Sequence, residues 1–340
     1  MSTGSTTDDA VLRVDDLHVN YRSGVSDVHA VRGVSFAVRA GERVGVVGES
    51  GSGKSSIALA MLGLIERPSQ VRGSVRLKGR ELTGASEKQL NAVRGKEIGL
   101  IYQDPMSALD PLRPIGAQIV EAIKAHRRDL NRDQLRDAAV ALLAAVDVPN
   151  PQQRYRDYPH EYSGGMRQRV AIAMAIANDP AVLIADEPTT ALDVTTQASI
   201  MHLLQRLVVE QRSAMVLITH NLGLVAEYCE RVMVVYGGRI VESGDVDRVF
   251  ARPEHPYTAA LLASVPRPGQ MSNEPLAYIE GLPPNLRVEP QGCSFAPRCT
   301  ARLRLPDPQI CSTVMPPLVV LGEQSAECHL AAVQIGSRHG

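Results

Sequence analysis

The stretch Gly48-Glu-Ser-Gly-Ser-Gly-Lys54-Ser55 constrains this chain more than any other. An apolar run, Arg43–Val47, precedes it, and a helix-like segment, Ser56–Leu64, follows it. A G-x-x-x-x-G-K-[ST] loop between a strand and a helix is a phosphate cradle. Its glycines let the backbone curl so that successive N–H groups and a helix N-terminus face an anion. Lys54 is placed to reach the β- and γ-phosphates of a nucleotide, and the Ser55 hydroxyl to bind Mg²⁺. Gly48, Ser50, Gly51, Ser52, Gly53 and Ser56 complete the expected phosphate-binding set. With glycine at its usual ~7%, a random match in a chain of this length is on the order of 1%.

Such a loop requires an α/β fold, and the surrounding pattern agrees. From Val11 to about Phe250, apolar strand-type runs alternate with helix-type segments, which predicts a largely parallel core sheet. Residues 117–146 have helical spacing and few breakers, which predicts a helical insertion within a subdomain of about 104–179. Residues 1–10 are polar and expected to be disordered. After residue 250 the texture changes: 13 of the 22 prolines and four of the five cysteines lie there. A small, irregular C-terminal domain over 251–340 is the expectation. Such a segment has difficulty burying a core unaided, and a bound metal would help to hold it.

Net charge is −1, so no global basic field points to nucleic acid as a partner. No stretch approaches the roughly 18–20 consecutive apolar residues of a membrane span. The first residues lack the basic and apolar regions of a signal peptide. The expected location is therefore cytoplasmic, with any role at a membrane exerted through other subunits.

Ala181-Val-Leu-Ile-Ala-Asp186-Glu187 reads as a buried strand ending in two carboxylates. Adjacent acids at a strand end are often no more than a solvated turn. Beside a phosphate loop they read as chemistry, with Asp186 holding Mg²⁺ through water and Glu187 deprotonating an attacking water. Earlier in the chain, Ser163-Gly164-Gly165 opens a helix-like run, so a hydroxyl, bare N–H groups and a positive helix end are available to a γ-phosphate.

With that Ser-Gly-Gly turn the chain resembles the ABC ATPases, over residues 11 to about 250. Gln103, after the run Ile98–Tyr102, matches that family's Q-loop glutamine. Ala191-Leu192-Asp193 matches its D-loop, His220 its switch histidine and Tyr21 the aromatic that stacks on adenine. The resemblance implies a P-loop ATPase domain with a mostly parallel core sheet, an antiparallel β part and a helical subdomain. Glu187, His220 and Gln103 would be catalytic, and Ser55, Gln103 and Asp186 would hold Mg²⁺. Two such domains pair head to tail in that family, so Ser163, Gly164, Gly165 and Asp193 would serve the ATP of the partner subunit. Tyr162 and Met166 stand where Leu and Gln are usual, leaving the Ser-Gly-Gly intact.

The tail carries the resemblance further. His255–Pro266, Ile279–Pro284, Gly292–Cys299 and the earlier Gln103–Pro111 are similar to segments of oligopeptide and dipeptide importer ATPase subunits. That implies two permeases, a second ATPase subunit, an external peptide-binding protein and a place on the cytoplasmic face of the membrane. Nickel and glutathione importers are close relatives. A soluble ABC ATPase of DNA repair or translation is the rival, although those usually carry two cassettes or coiled-coil insertions. Cys293, Cys299, Cys311 and Cys328 are spaced C-x5-C-x11-C-x16-C, without the tight pairs of zinc ribbons. Four dispersed thiolates fit a [4Fe–4S] cluster better than zinc, and free buried thiols are the third alternative. The resemblance supports the cluster, although the gap before Cys311 is longer than that family's pattern; its expected role is structural, because ATP hydrolysis needs no redox chemistry. His329 could compete as a ligand, and the tail could instead sense redox state. Cys229 reads as core packing.

Overall fold

The computed structural model describes residues 10–22, 24, 26–190, 192–265 and 278–336. The stretch expected to be disordered lies outside these, apart from Ala10, and so does Ala191 of the D-loop. In chain order the strands are β1 (Ala10–Tyr21), β2 (Val28–Arg39), β3 (Arg43–Val47), β4 (Gln70–Leu77), β5 (Arg80–Glu81) and β6 (Ile98–Ile101). They continue with β7 (Val182–Asp186), β8 (Ala214–Thr219), β9 (Arg231–Tyr236), β10 (Arg239–Asp245), β11 (Leu318–Leu321) and β12 (Gln324–Glu327). Two compact units form: one from the chain up to Leu12 with Ala37–Arg43 and Arg76–Ile218, the other from Arg13–Phe36, Val44–Val75 and Thr219 onward. Among the described residues no helix is long and apolar enough to cross a membrane.

In the first unit β6, β7 and β8 run parallel, with Ile98 opposite Val182 and Val182 opposite Ala214. Val182–Ala185 are fully buried, as a parallel strand covered on both faces requires. Parallel order brings the C-terminal ends of these strands to one edge, where ligands bind in α/β sheets. The helical run over 117–146 resolves into two helices, Ile115–Lys124 and Arg132–Ala145. Asn131 separates them because it starts the second with a capping box. Its side chain accepts from Gln134 N at 3.0 Å, and Gln134 Oε1 accepts from Asn131 N at 2.9 Å. Each helix buries one stripe: Ile115, Ile119 and Ile123 on the first, Leu135, Ala139 and Leu143 on the second.

In the second unit β3 pairs parallel with β9, and β9 pairs antiparallel with β10 through a Gly237-Gly238 turn. Both glycines have positive φ, 54° and 78°, as a two-residue hairpin turn demands. The proline-rich tail does not stand apart. Its β11–β12 hairpin pairs onto β10, with Glu242 opposite Ala326. Phe295, 3% exposed, enters the same apolar cluster as Val47, Val234 and Tyr257. Burying one such ring stabilises by about 1.5–3 kcal/mol, which helps to explain how a segment poor in regular structure stays folded. A buried carboxylate ties the pieces together. Glu242 accepts from Glu254 N (2.7 Å), His255 N (3.0 Å) and Gln324 Nε2 (2.7 Å). Burial raises its pKa above the ordinary carboxylate value, opposed by these donors.

Candidate functional site

The residues singled out in the sequence divide between the two units. In the second unit the phosphate loop has the expected strand–loop–helix frame, with its helix spanning Lys54–Met61. Two of its glycines are required outright. A Cβ on Gly53, at φ 106°, would stand 2.3 Å from the Ala30 carbonyl oxygen, and one on Gly48 would stand 2.1 Å from that of Val235. Lys54 is 5% exposed. Its ammonium folds back over the loop, donating to the Gly48 and Glu49 carbonyls at 2.8 and 2.9 Å. A buried charge needs such partners. Ser52 is buried, and among the described residues its hydroxyl oxygen has no hydrogen-bond partner, so a polar group stands ready in the loop. Ser55 is exposed at the helix start. Tyr21 joins this group by donating to Ser56 Oγ at 3.2 Å. His220 lies exposed just after β8.

In the first unit Gln103 follows β6, while Asp186 closes β7 and Glu187 follows it. Glu187 takes the left-handed backbone conformation, φ 46°, which L side chains rarely adopt. Its N–H donates to the Ile218 carbonyl at 2.8 Å, fixing the turn against the end of β8. Its carboxylate is held from two sides: Gln103 Nε2 donates to Oε2 at 3.1 Å, and Thr190 Oγ1 donates to the same oxygen at 2.9 Å. Thr190 escaped the sequence reading, although its position three residues beyond Glu187 in a turn was the available signal. An acceptor held in this way by neutral donors keeps its lone pairs directed, as a general base needs.

Ser163 caps the helix Gly164–Ala175, accepting from Met166 N at 3.4 Å. The start of this helix meets the start of Val194–Gln211. A Cβ on Gly165 would stand 2.7 Å from Thr196 Cγ2, so the Ser-Gly-Gly turn is close-packed against the helix that follows the D-loop. Asp193 caps that second helix through Thr196 N at 3.0 Å, and these bonds lower its pKa. Ser163, Gly164 and Asp193 are all exposed.

The four tail cysteines, apart in sequence, line one small cavity together with His255, Phe295 and His329. Cys293 N donates to the Cys311 carbonyl at 2.8 Å, joining two of the four stretches. Burial pushes the Cys293 thiol up to about 12 and raises the other three as well. His329 Nε2 lies 3.1 Å from the Val314 carbonyl, so that nitrogen is engaged away from the thiols. Among the described residues, no group of three His, Cys, Asp or Glu side chains is placed to hold a metal ion. Cys229 packs into the apolar cluster of the second unit, as expected.

Comparison with known proteins supplies a family. A family model described as ABC transporter matches residues 31–190, and one described as oligopeptide/dipeptide transporter, C-terminal region, matches 241–304. The chain is 46% identical to the oligopeptide transport ATP-binding protein OppD of Escherichia coli, over 91% of this chain and 89% of that protein. It is 50% identical to the OppD of Mycobacterium tuberculosis, over 85% of this chain but only 47% of the relative, so it spans about half of that protein. Among solved structures it is similar to a dimeric ATP-binding cassette in a post-hydrolysis state bound to ADP and Pi. The TM-score is 0.62 and the identity 27%, covering 69% of this chain and 98% of that one.

Proposed function

The chain belongs to the ABC transporter family, with the C-terminal region of the oligopeptide/dipeptide transporters, and from this we propose that it hydrolyses ATP to energise peptide import. One observation carries the reading. The Glu187 carboxylate is turned by a left-handed backbone and held by Gln103 and Thr190, which is how a base for an attacking water must be kept. The buried ammonium of Lys54, the Ser52 hydroxyl and the loop N–H groups would receive the phosphates, with Tyr21 stacked on the adenine. Oxygen donors at Ser55, Gln103 and Asp186 suit Mg²⁺, which when bound neutralises phosphate charge. His220 would contact the γ-phosphate from beyond β8. The exposed Ser163, Gly164 and Asp193, with half-buried Gly165 between them, would serve the nucleotide of a second ATPase subunit. Further partners are two permeases and an extracytoplasmic peptide-binding protein, with this subunit docked on the cytoplasmic face of the membrane.

For the tail we infer a [4Fe–4S] cluster held by Cys293, Cys299, Cys311 and Cys328. Support comes from the four thiols lining one cavity with no carboxylate among them, a donor set that suits iron–sulfur chemistry. Its role would be structural, because ATP hydrolysis requires no electron transfer.

Glu187→Gln is expected to preserve Mg–ATP binding and abolish turnover. Full ATPase activity in that variant would remove Glu187 as the base. Lys54→Ala should lose nucleotide binding, and unchanged affinity would count against the phosphate-loop assignment. Detergent pull-down from membranes should bring two permeases and a second ATPase. Ribosomes or DNA in their place would overturn peptide import.

A further inference from the structure

Glu49 stands second in the phosphate loop, where a carboxylate is out of place: the loop exists to receive anions, and a nearby negative charge opposes them. The tail restrains it. Arg298 donates from both terminal guanidinium nitrogens, Nη1 and Nη2, to its two carboxylate oxygens, at 2.7 and 3.0 Å. The guanidinium side of this pair is 5% exposed and the carboxylate side 24%, so water screens it little. Three further bonds fix the guanidinium: to the Ile279 carbonyl at 2.9 Å, the Glu280 carbonyl at 2.9 Å and the Tyr236 hydroxyl at 3.2 Å. From the other side, Glu49 N donates to the Tyr257 hydroxyl at 2.9 Å. The Glu49 carbonyl in turn accepts from Lys54 Nζ. Glu49 thus accepts two bonds from Arg298, donates one to Tyr257 and accepts one from the phosphate-binding lysine.

The frame behind this clamp is the cysteine cavity. Arg298 directly precedes Cys299. Phe295, which lines that cavity, packs edge-on against Tyr236 at 5.3 Å and tilted against Tyr257 at 5.4 Å.

We propose that Arg298 is a positioning residue for the phosphate loop: by gripping the Glu49 carboxylate it holds a negative charge away from the bound nucleotide and fixes the loop to the cysteine-bearing tail. The proposal rests on the ATP-site reading above and deepens it, because it makes nucleotide affinity depend on a segment outside the ATPase motifs.

The test is equilibrium binding of Mg–ATP to the purified full chain. Arg298→Gln is expected to weaken binding about tenfold, because it leaves an unpaired carboxylate in an anion site. Adding Glu49→Gln to that variant should recover most of the loss, which a purely structural role of Arg298 would not allow. Wild-type affinity in Arg298→Gln, or a double variant that binds no better than the single, overturns the proposal. Should Arg298→Gln fail to fold, Glu49→Asp carries the same comparison with the tail intact. It draws the charge back by one methylene and should bind about fivefold more weakly than Glu49→Gln; equal affinities in those two overturn the proposal as well. If Lys54→Ala abolishes binding while these variants bind like wild type, the clamp alone fails. A wild-type chain that binds no Mg–ATP removes the ATP site and the clamp together.

Discussion

Single residues in this chain carry requirements that composition cannot express. Gly53 is the clearest: its φ of 106° and the carbonyl of Ala30 leave no room for a Cβ. Gly53→Ala is expected to lower unfolding free energy by about 2–4 kcal/mol and to abolish Mg–ATP binding, read by urea titration and nucleotide titration respectively. Glu187 shows the other side. Its identity and approximate role were legible from the strand that precedes it, but its left-handed backbone and the Thr190 bond were not. Those depend on how the turn after β7 meets the end of β8, a contact between segments some thirty residues apart.

At the scale of elements, local pattern and tertiary context divide differently. The runs Arg43–Val47, Ile98–Tyr102, Ala181–Ile184 and Met215–Thr219 all became strands within a residue or two, because buried parallel strands read as continuous apolar runs. The capping box at Asn131 was equally present in the sequence and explains why 117–146 is two helices. The β11–β12 hairpin was hidden. Its strands are four residues each and gain their stability from pairing onto β10, while surrounding prolines obscure the alternation. Glu242 is the junction of that pairing. Glu242→Gln puts an amide where a backbone N–H now finds an acceptor, and it is expected to destabilise the chain by about 1–3 kcal/mol in thermal or urea unfolding. An unchanged midpoint would mean that the tail docks without this junction.

For the whole molecule, the cysteines join the tail to the rest of the account. Anaerobically purified protein is expected to hold about four iron atoms and four acid-labile sulfides per chain. Serine at Cys293, Cys299, Cys311 or Cys328 should reduce both, whereas Cys229→Ser should change neither. One zinc per chain with no sulfide would replace the cluster with a zinc site, and no metal at all would leave four buried thiols.

The sequence by itself determined the α/β class, the phosphate loop, the order of the ATPase motifs and the kind of tail. These are local: a short loop in a fixed strand–helix frame, or apolar runs of strand length, specify themselves. Tertiary structure alone decided that four dispersed cysteines share one cavity, that Glu242 is buried under the tail, and that Arg298 reaches back 249 residues to Glu49. Each depends on where the tail docks. That is set by the burial of Phe295 and by strand pairing onto β10, which no window of sequence contains.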